Sequence, residues 1–249
     1  MLKGKVALIT GAGQGVGQGI ALAMAAKGAS IAVTGRTLSK LENTCSMIKE
    51  HGGKAIAIRC NVKDPTSLKH TVDKTIRQFS TIDILVNNAQ EVPLGTLHDV
   101  SDDLFEAGWQ SGPLATMRLM KLCYPYLKGD GSIVNLASTA AKRWDSSGYA
   151  AYGAVKEAIR ALTKGAASEW GKDNIRTNTV LPIATSPGLE IWIENDPEGA
   201  NAFLDTIPMK RLGDCEKDIG NFVAMLCSKE SNYINGQSIA IDGGQAYMS

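Results

Sequence analysis

The stretch Val6-Ala7-Leu8-Ile9-Thr10-Gly11-Ala12-Gly13-Gln14-Gly15-Val16-Gly17-Gln18-Gly19 runs an apolar segment into a glycine-rich turn, and a small-residue helical segment continues from Val16 to Ala26. A strand, a tight turn and a helix in that order form a natural anion site. Glycine lets the backbone come close to a pyrophosphate, and the unpaired N–H groups at the helix start, here around Gly15, Val16 and Gly17, meet its charge. The spacing is G-x-x-x-G-x-G and not G-x-G-x-x-G. It fits Gly11, Gly15 and Gly17, and equally Gly13, Gly17 and Gly19; Thr10 ahead of Gly11 favours the first register.

Outward from this stretch, short apolar runs alternate with helical-period segments to the end of the chain. The runs are Ile31-Ala32-Val33, Ala55 to Ile58, Ile82 to Val86, Ile133 to Leu136, Ile175 to Leu181 and Ser238 to Ile241. Apolar residues at consecutive positions predict strands covered on both faces, hence a parallel sheet between helices. The strict alternation predicts an α/β, doubly wound domain with a mostly parallel, seven-stranded sheet. No linker or repeat interrupts residues 1–249, so one domain is expected. The stretch from about 182 to 214 breaks the rhythm with Pro182, Pro187, Pro197 and Pro208, and reads as a lid inserted after a strand.

Composition excludes several function classes. The 249 residues carry a net charge of +1, with 44% hydrophobic and 20% charged residues, which gives no electrostatic basis for a nucleic-acid or membrane partner. No apolar run approaches the roughly 20 residues of a membrane span. The five cysteines are odd in number and contain no CxxC pair, and His51, His70 and His98 lie apart from one another; neither disulfides nor a metal site is expected, and a cytoplasmic setting is the simplest. Asp102-Asp103 reads as a helix cap and first-turn charge, not a catalytic carboxylate pair.

Two further segments suggest chemistry. The second strand ends Gly35-Arg36-Thr37, where a fold that prefers NAD usually carries an acidic residue for the ribose 2′-hydroxyl. A guanidinium there, with Thr37 as an added donor, suits a 2′-phosphate, so NADP(H) is preferred and NAD(H) remains possible. Tyr152 and Lys156 are four apart in a helical stretch and so share a face. A cation beside a phenol is expected to pull its pKa from about 10 toward the working range. Ser138 closes the strand Ile133 to Leu136 at the carboxyl edge, beside the expected crevice.

Together these pieces resemble the short-chain dehydrogenase/reductase family along essentially the whole chain. The motifs are Thr10-Gly11-x-x-x-Gly15-x-Gly17, Asn87-Asn88-Ala89, Ser138, Tyr152-x-x-x-Lys156 and Gly236-Gln237-x-x-x-x-Asp242-Gly243-Gly244. The resemblance implies a Rossmann-type fold and hydride transfer between NADP(H) and a carbonyl or alcohol carbon. Tyr152 becomes the general acid or base, Ser138 the residue that orients the substrate, and Lys156 the group that tunes Tyr152 and holds the nicotinamide ribose. Asn88 and Ala89 lie along the cofactor, and Asn61-Val62 contact the adenine. Ile183 and Thr185 stand where the family has residues facing the carboxamide or phosphates. The chain departs from the pattern at Gln90 (usually glycine, and expected to reshape the cleft), at Gly112 (often an asparagine that anchors a proton-relay water) and at Ile183 (usually glycine).

Trp144, Leu189, Ile191, Trp192 and Ile193 flank the crevice and predict a hydrophobic ketone or secondary alcohol as substrate. A 3-oxoacyl-thioester reductase is the alternative, with Lys128, Arg143 and Lys172 as carrier contacts. A non-catalytic dinucleotide sensor is the alternative of another class. The resemblance also implies a homotetramer or homodimer through the Ala- and Gly-rich segment from Tyr149 to Trp170, which tight packing on its own sheet would explain equally.

Overall fold

A computed structural model describes residues 1–142 and 147–246; Arg143 and Trp144 therefore lie outside the described residues. Strands β1 (Val6–Thr10), β2 (Ser30–Gly35), β3 (Lys54–Arg59), β4 (Ile84–Asn87), β5 (Gly131–Leu136), β6 (Ile175–Pro182) and β7 (Ser238–Ile241) form one sheet in the order β3-β2-β1-β4-β5-β6-β7. Every neighbouring pair is parallel. This is the Rossmann-type sheet expected from the apolar runs.

The consecutive apolar residues follow from two cores, one on each face. Along β1, Ala7 and Ile9 pack with Ile20, Met24 and Val223, while Leu8 packs on the other side with Leu68, Leu119 and Ile133. Alternate side chains point to opposite faces, so a strand covered twice shows no polar alternation. The first face is covered by α1 (Gly15–Ala26) and α2 (Leu38–Glu50), the second by α3 (Pro65–Phe79) and α5 (Ala115–Leu127).

The strand order reverses between β1 and β4, and ligands of open α/β sheets bind outside the strand ends at such a point. Gly11 follows β1 and Asn88 follows β4, so the two motifs meet there.

The helical segment through Phe105, Leu114 and Leu122 is not one uniform helix. It divides into α4 (Asp102–Trp109), a π-type turn at Gln110–Leu114 and α5. Pro113 lies in that turn, where the missing N–H breaks the regular ladder. The N-cap is Ser101, which accepts from Leu104 N–H; Asp102 and Asp103 supply only first-turn charge.

The segment after β6 folds into α7 (Pro187–Asn195) and α8 (Pro197–Asp205), capped by Ser186 and Asp196. Its base is closed. Gly213 N–H donates to Ile183 O at 3.2 Å and Thr185 N–H to Gly213 O at 2.9 Å, so the segment leaves and rejoins the body at one place. Trp192 meets Phe203 edge to face at 5.8 Å, so this tryptophan packs α7 onto α8.

Candidate active site

The glycine turn takes the first register. Gly11 (φ +66°) and Gly15 (φ +57°) are left-handed, a conformation that only glycine adopts without cost. A Cβ on Gly17 would run into Gly11 O and the Asn88 amide, whereas Gly19 is small because α1 lies against the backbone of Cys215. Gln14, ahead of α1, caps nothing with its side chain, and the first turn carries no acidic residue. The helix start therefore presents N–H groups and positive dipole to the turn, which fits a pyrophosphate.

Asn88 secures this turn. Its amide donates to Thr10 O at 2.9 Å and Gly11 O at 3.2 Å, while Thr10 Oγ1 accepts the N–H groups of Asn88 (2.9 Å) and Ala89 (3.0 Å). Behind it, Asn87 Nδ2 donates to Asn135 Oδ1 at 2.8 Å and Asn135 Nδ2 to Thr163 Oγ1 at 2.9 Å. A buried polar chain thus ties β4 to β5 and to α6 (Ala150–Trp170).

A cleft of about 530 Å³ opens at the strand ends. Of the expected cofactor residues, Gly11, Gly15, Val16, Arg36 and Thr37 line it, as do Asn61, Val62, Asn88 and Ala89. Asn61 Oδ1 already accepts from Lys63 N–H at 3.2 Å and retains capacity for a second donor. Gly17 stands behind the wall. Thr185 lines a neighbouring concavity with Gly15, Ser186 and Pro187, and Ile183 is buried at the base of the inserted segment. Ile183 therefore does not line the cleft as the resemblance implied: its backbone is spent on Ile241 and Gly213.

Sequence reasoning missed Gln14, Lys40 and Glu91 in the lining. Lys40 donates to Gln14 Oε1, and Glu91 pairs with Arg36 at 2.9 Å and Lys63 at 3.1 Å. The position of Glu91, two residues past Asn-Asn-Ala, was the available signal. A carboxylate there has no partner in its own segment, and only the fold brings one.

Gln90 and Gly112 prove to be complementary. A Cβ on Gly112 would collide with the Gln90 amide, so the glutamine fills the space that a side chain at 112 would take. Gln90 Nε2 is held by Glu91 O and Gly108 O, both at 2.8 Å, while Gln90 Oε1 is buried without a partner. Gln90 lines the cleft, but as a fixed wall on the π-type turn.

The catalytic candidates stand beyond this cleft, at the carboxyl end of β5 and the first turns of α6. Lys156 is 3% exposed and donates to Leu136 O at 2.7 Å. Its Nζ lies 5.4 Å from the centre of the Tyr152 ring. The Ser138 hydroxyl lies close enough to the Tyr152 phenol to favour its charged form, and Ser138 Oγ accepts from Ala140 N–H at 3.2 Å. The three side chains therefore converge.

Their electrostatics differ from the sequence expectation. Burial pushes the Tyr152 phenol up to about 12, only partly offset by the nearby Ser138 hydroxyl. Burial pulls Lys156 down to about 7. The four-residue spacing brings the lysine to the ring, but desolvation outweighs the attraction between ammonium and phenolate. The phenol is thus a neutral donor across the physiological range, and Lys156 titrates within it.

Comparison with known proteins agrees with this construction. A family model described as enoyl-(acyl carrier protein) reductase matches residues 11–246. A 12alpha-hydroxysteroid dehydrogenase from a Clostridium species is 40% identical over 97% of this chain and 96% of its own length. The chain belongs to the short-chain dehydrogenase/reductase family. Among solved members, the short-chain dehydrogenase/reductase of Serratia marcescens matches with a TM-score of 0.92 at 30% identity, covering 99% of both chains. A short-chain dehydrogenase of Burkholderia cenocepacia in complex with NADP matches with a TM-score of 0.90 at 31% identity, covering 98% of both chains. The protein is accordingly an oxidoreductase of the CH–OH/C=O type that uses a nicotinamide dinucleotide and acts on small molecules. Among the described residues no helix is long and apolar enough to cross a membrane.

Proposed function

We propose that the protein reduces a hydrophobic ketone, or oxidises the matching secondary alcohol, with NADP(H) preferred over NAD(H). The observation that carries the reading is the convergence of Ser138, Tyr152 and Lys156 at the end of the sheet, beside a cleft with an uncapped helix start and Arg36 at its far end. When bound, the dinucleotide supplies or accepts a hydride. Ser138 holds the substrate oxygen by a hydrogen bond. Tyr152 Oη gives its proton to that oxygen in reduction, and an alkoxide is a far stronger base than a phenolate even at about 12. Lys156, titrating near 7, returns the proton to Tyr152 and reaches the nicotinamide ribose. Arg36 and Thr37 receive the 2′-phosphate, and Asn61 and Val62 the adenine.

The segment from 182 to 214 acts as the substrate lid over one domain of 249 residues, with Ile191 presented at 58% exposure. The name of the Clostridium relative favours a rigid, largely apolar alcohol of hydroxysteroid type. Lys128 and Lys172 precede β5 and β6 and so lie at the sheet edge opposite the site, which favours a free ketone over a carrier-bound thioester. Ala154, Ala158, Ala161 and Gly165 face outward on α6, and nothing lies within 4 Å of a Cβ on Gly165; this stripe supports assembly into a homotetramer or homodimer. The test is a panel of ketones and alcohols, including hydroxysteroids and a 3-oxoacyl thioester, each assayed with both cofactors at 340 nm. Turnover of apolar ketones with NADPH supports the reading. Thioester-only turnover, or dinucleotide binding with no turnover, contradicts it.

A further inference from the structure

The family pattern assigns no task to Glu91, yet its carboxylate occupies a decisive place. Its backbone is fixed on both sides: Glu91 N–H donates to Ser111 Oγ at 2.9 Å, and Glu91 O accepts from Gln90 Nε2 at 2.8 Å. From there the side chain bridges two cations that come from different strand ends, Arg36 after β2 at 2.9 Å and Lys63 after β3 at 3.1 Å. The carboxylate is the more enclosed partner, with 27% of its side chain exposed, and the guanidinium is the more exposed one at 70%. Glu91 and Arg36 both line the cofactor cleft.

We propose that Glu91 is a specificity-determining counter-ion that sets the protein's preference between phosphorylated and unphosphorylated dinucleotides. The proposal rests on the reading that Arg36 receives the 2′-phosphate. An anion anchored within hydrogen-bond distance of that cation competes with the phosphate for it, since two anions at one guanidinium repel each other. A phosphate arriving at Arg36 must replace Glu91, which Lys63 then retains. A ligand without the phosphate leaves the Arg36–Glu91 pair intact, so no cation is left unpaired beside its ribose. The bridge thus lowers the advantage of NADP(H) and lets the same cleft accept NAD(H).

The test titrates the full-length protein with adenosine 2′,5′-bisphosphate and with 5′-ADP by calorimetry, then with NADPH and NADH by fluorescence. For E91Q, which keeps the shape and removes the charge, the two phosphorylated ligands are expected to bind about three- to tenfold tighter, the range set by an exposed ion pair plus relieved repulsion. The unphosphorylated ligands should stay within about twofold. E91D, which keeps the charge near Lys63 but shortens the reach to Arg36, should fall between. Equal effects on both ligand classes, no effect, or weaker NADH binding in E91Q (which would make Glu91 a ribose ligand) overturns the proposal. The underlying reading fails separately, if R36A leaves the phosphate preference of E91Q unchanged.

Discussion

Replacing Lys156 by methionine should make the protein more stable and inactive. The lysine is 3% exposed, and burial takes it from 10.5 to about 7. At about 1.4 kcal/mol per tenfold change, that drop means the folded chain pays up to about 5 kcal/mol to hold the ammonium below pH 7. Methionine has a similar length and no charge. It also removes the donor to Leu136 O, which leaves a buried carbonyl unpartnered at a cost of about 1–3 kcal/mol. The balance at pH 6 is a gain of about 2–4 kcal/mol, or a rise of roughly 4–16 °C in Tm for a chain of this size.

The sign follows from proton counting. Between about 7 and 10.5 the unfolded chain binds a proton at this lysine that the folded chain does not, so wild-type stability rises with pH by about 1.4 kcal/mol per unit. Below 7 both states are protonated and the penalty is constant. The advantage of K156M should therefore be full at pH 6, shrink above about 7, and reverse between about pH 8 and 10. Scanning calorimetry of both proteins across that range checks it. A variant less stable than wild type at pH 6, or a difference independent of pH, would mean that the folded protein holds this ammonium without penalty, and the electrostatic account of the site would be wrong.

Other outcomes follow from the same geometry. The single-turnover rate of reduction should change little from pH 7 to 9 because the Tyr152 phenol, at about 12, stays protonated. Steady-state reduction should fall above about 7 as Lys156, which returns the proton, loses its own, and oxidation should quicken as pH rises because it needs the phenolate; rate profiles in the two directions check this. Gly112→Asn should cost about 1–3 kcal/mol in urea unfolding by displacing the Gln90 amide from its two carbonyls, and Gln90→Gly in the same chain should return most of it. Arg36→Ala should weaken NADPH binding severalfold and leave NADH nearly unchanged in fluorescence titration, since only the phosphorylated ligand uses the guanidinium.

The sheet was legible because burial on both faces writes itself as consecutive apolar residues, and the glycine turn because its left-handed positions admit little else. The convergence of Tyr152, Lys156 and Ser138 was legible for a similar reason, since a four-residue spacing on a helix and a strand end fix where side chains emerge. What stayed hidden depends on pairs distant in the chain. Glu91 meets Arg36 and Lys63 only because the fold brings the ends of β2, β3 and β4 to one edge of the sheet. Gln90 and Gly112 read as two separate departures, yet they are one exchange of volume. The charge states were not legible because spacing reports proximity and not desolvation: Lys156 sits by the ring as expected, and burial is the largest influence on both groups. Ile183 matched a motif position whose backbone is used instead to close the base of the inserted segment.

The most direct measurement is the single-turnover rate of hydride transfer in Tyr152→Phe, followed at 340 nm with a reactive ketone and paired with cofactor titration of the same protein. Loss of the phenolic proton should slow the step by about 10²–10⁴ while leaving the dissociation constant of the dinucleotide unchanged. A rate close to wild type would mean that another group protonates the substrate oxygen.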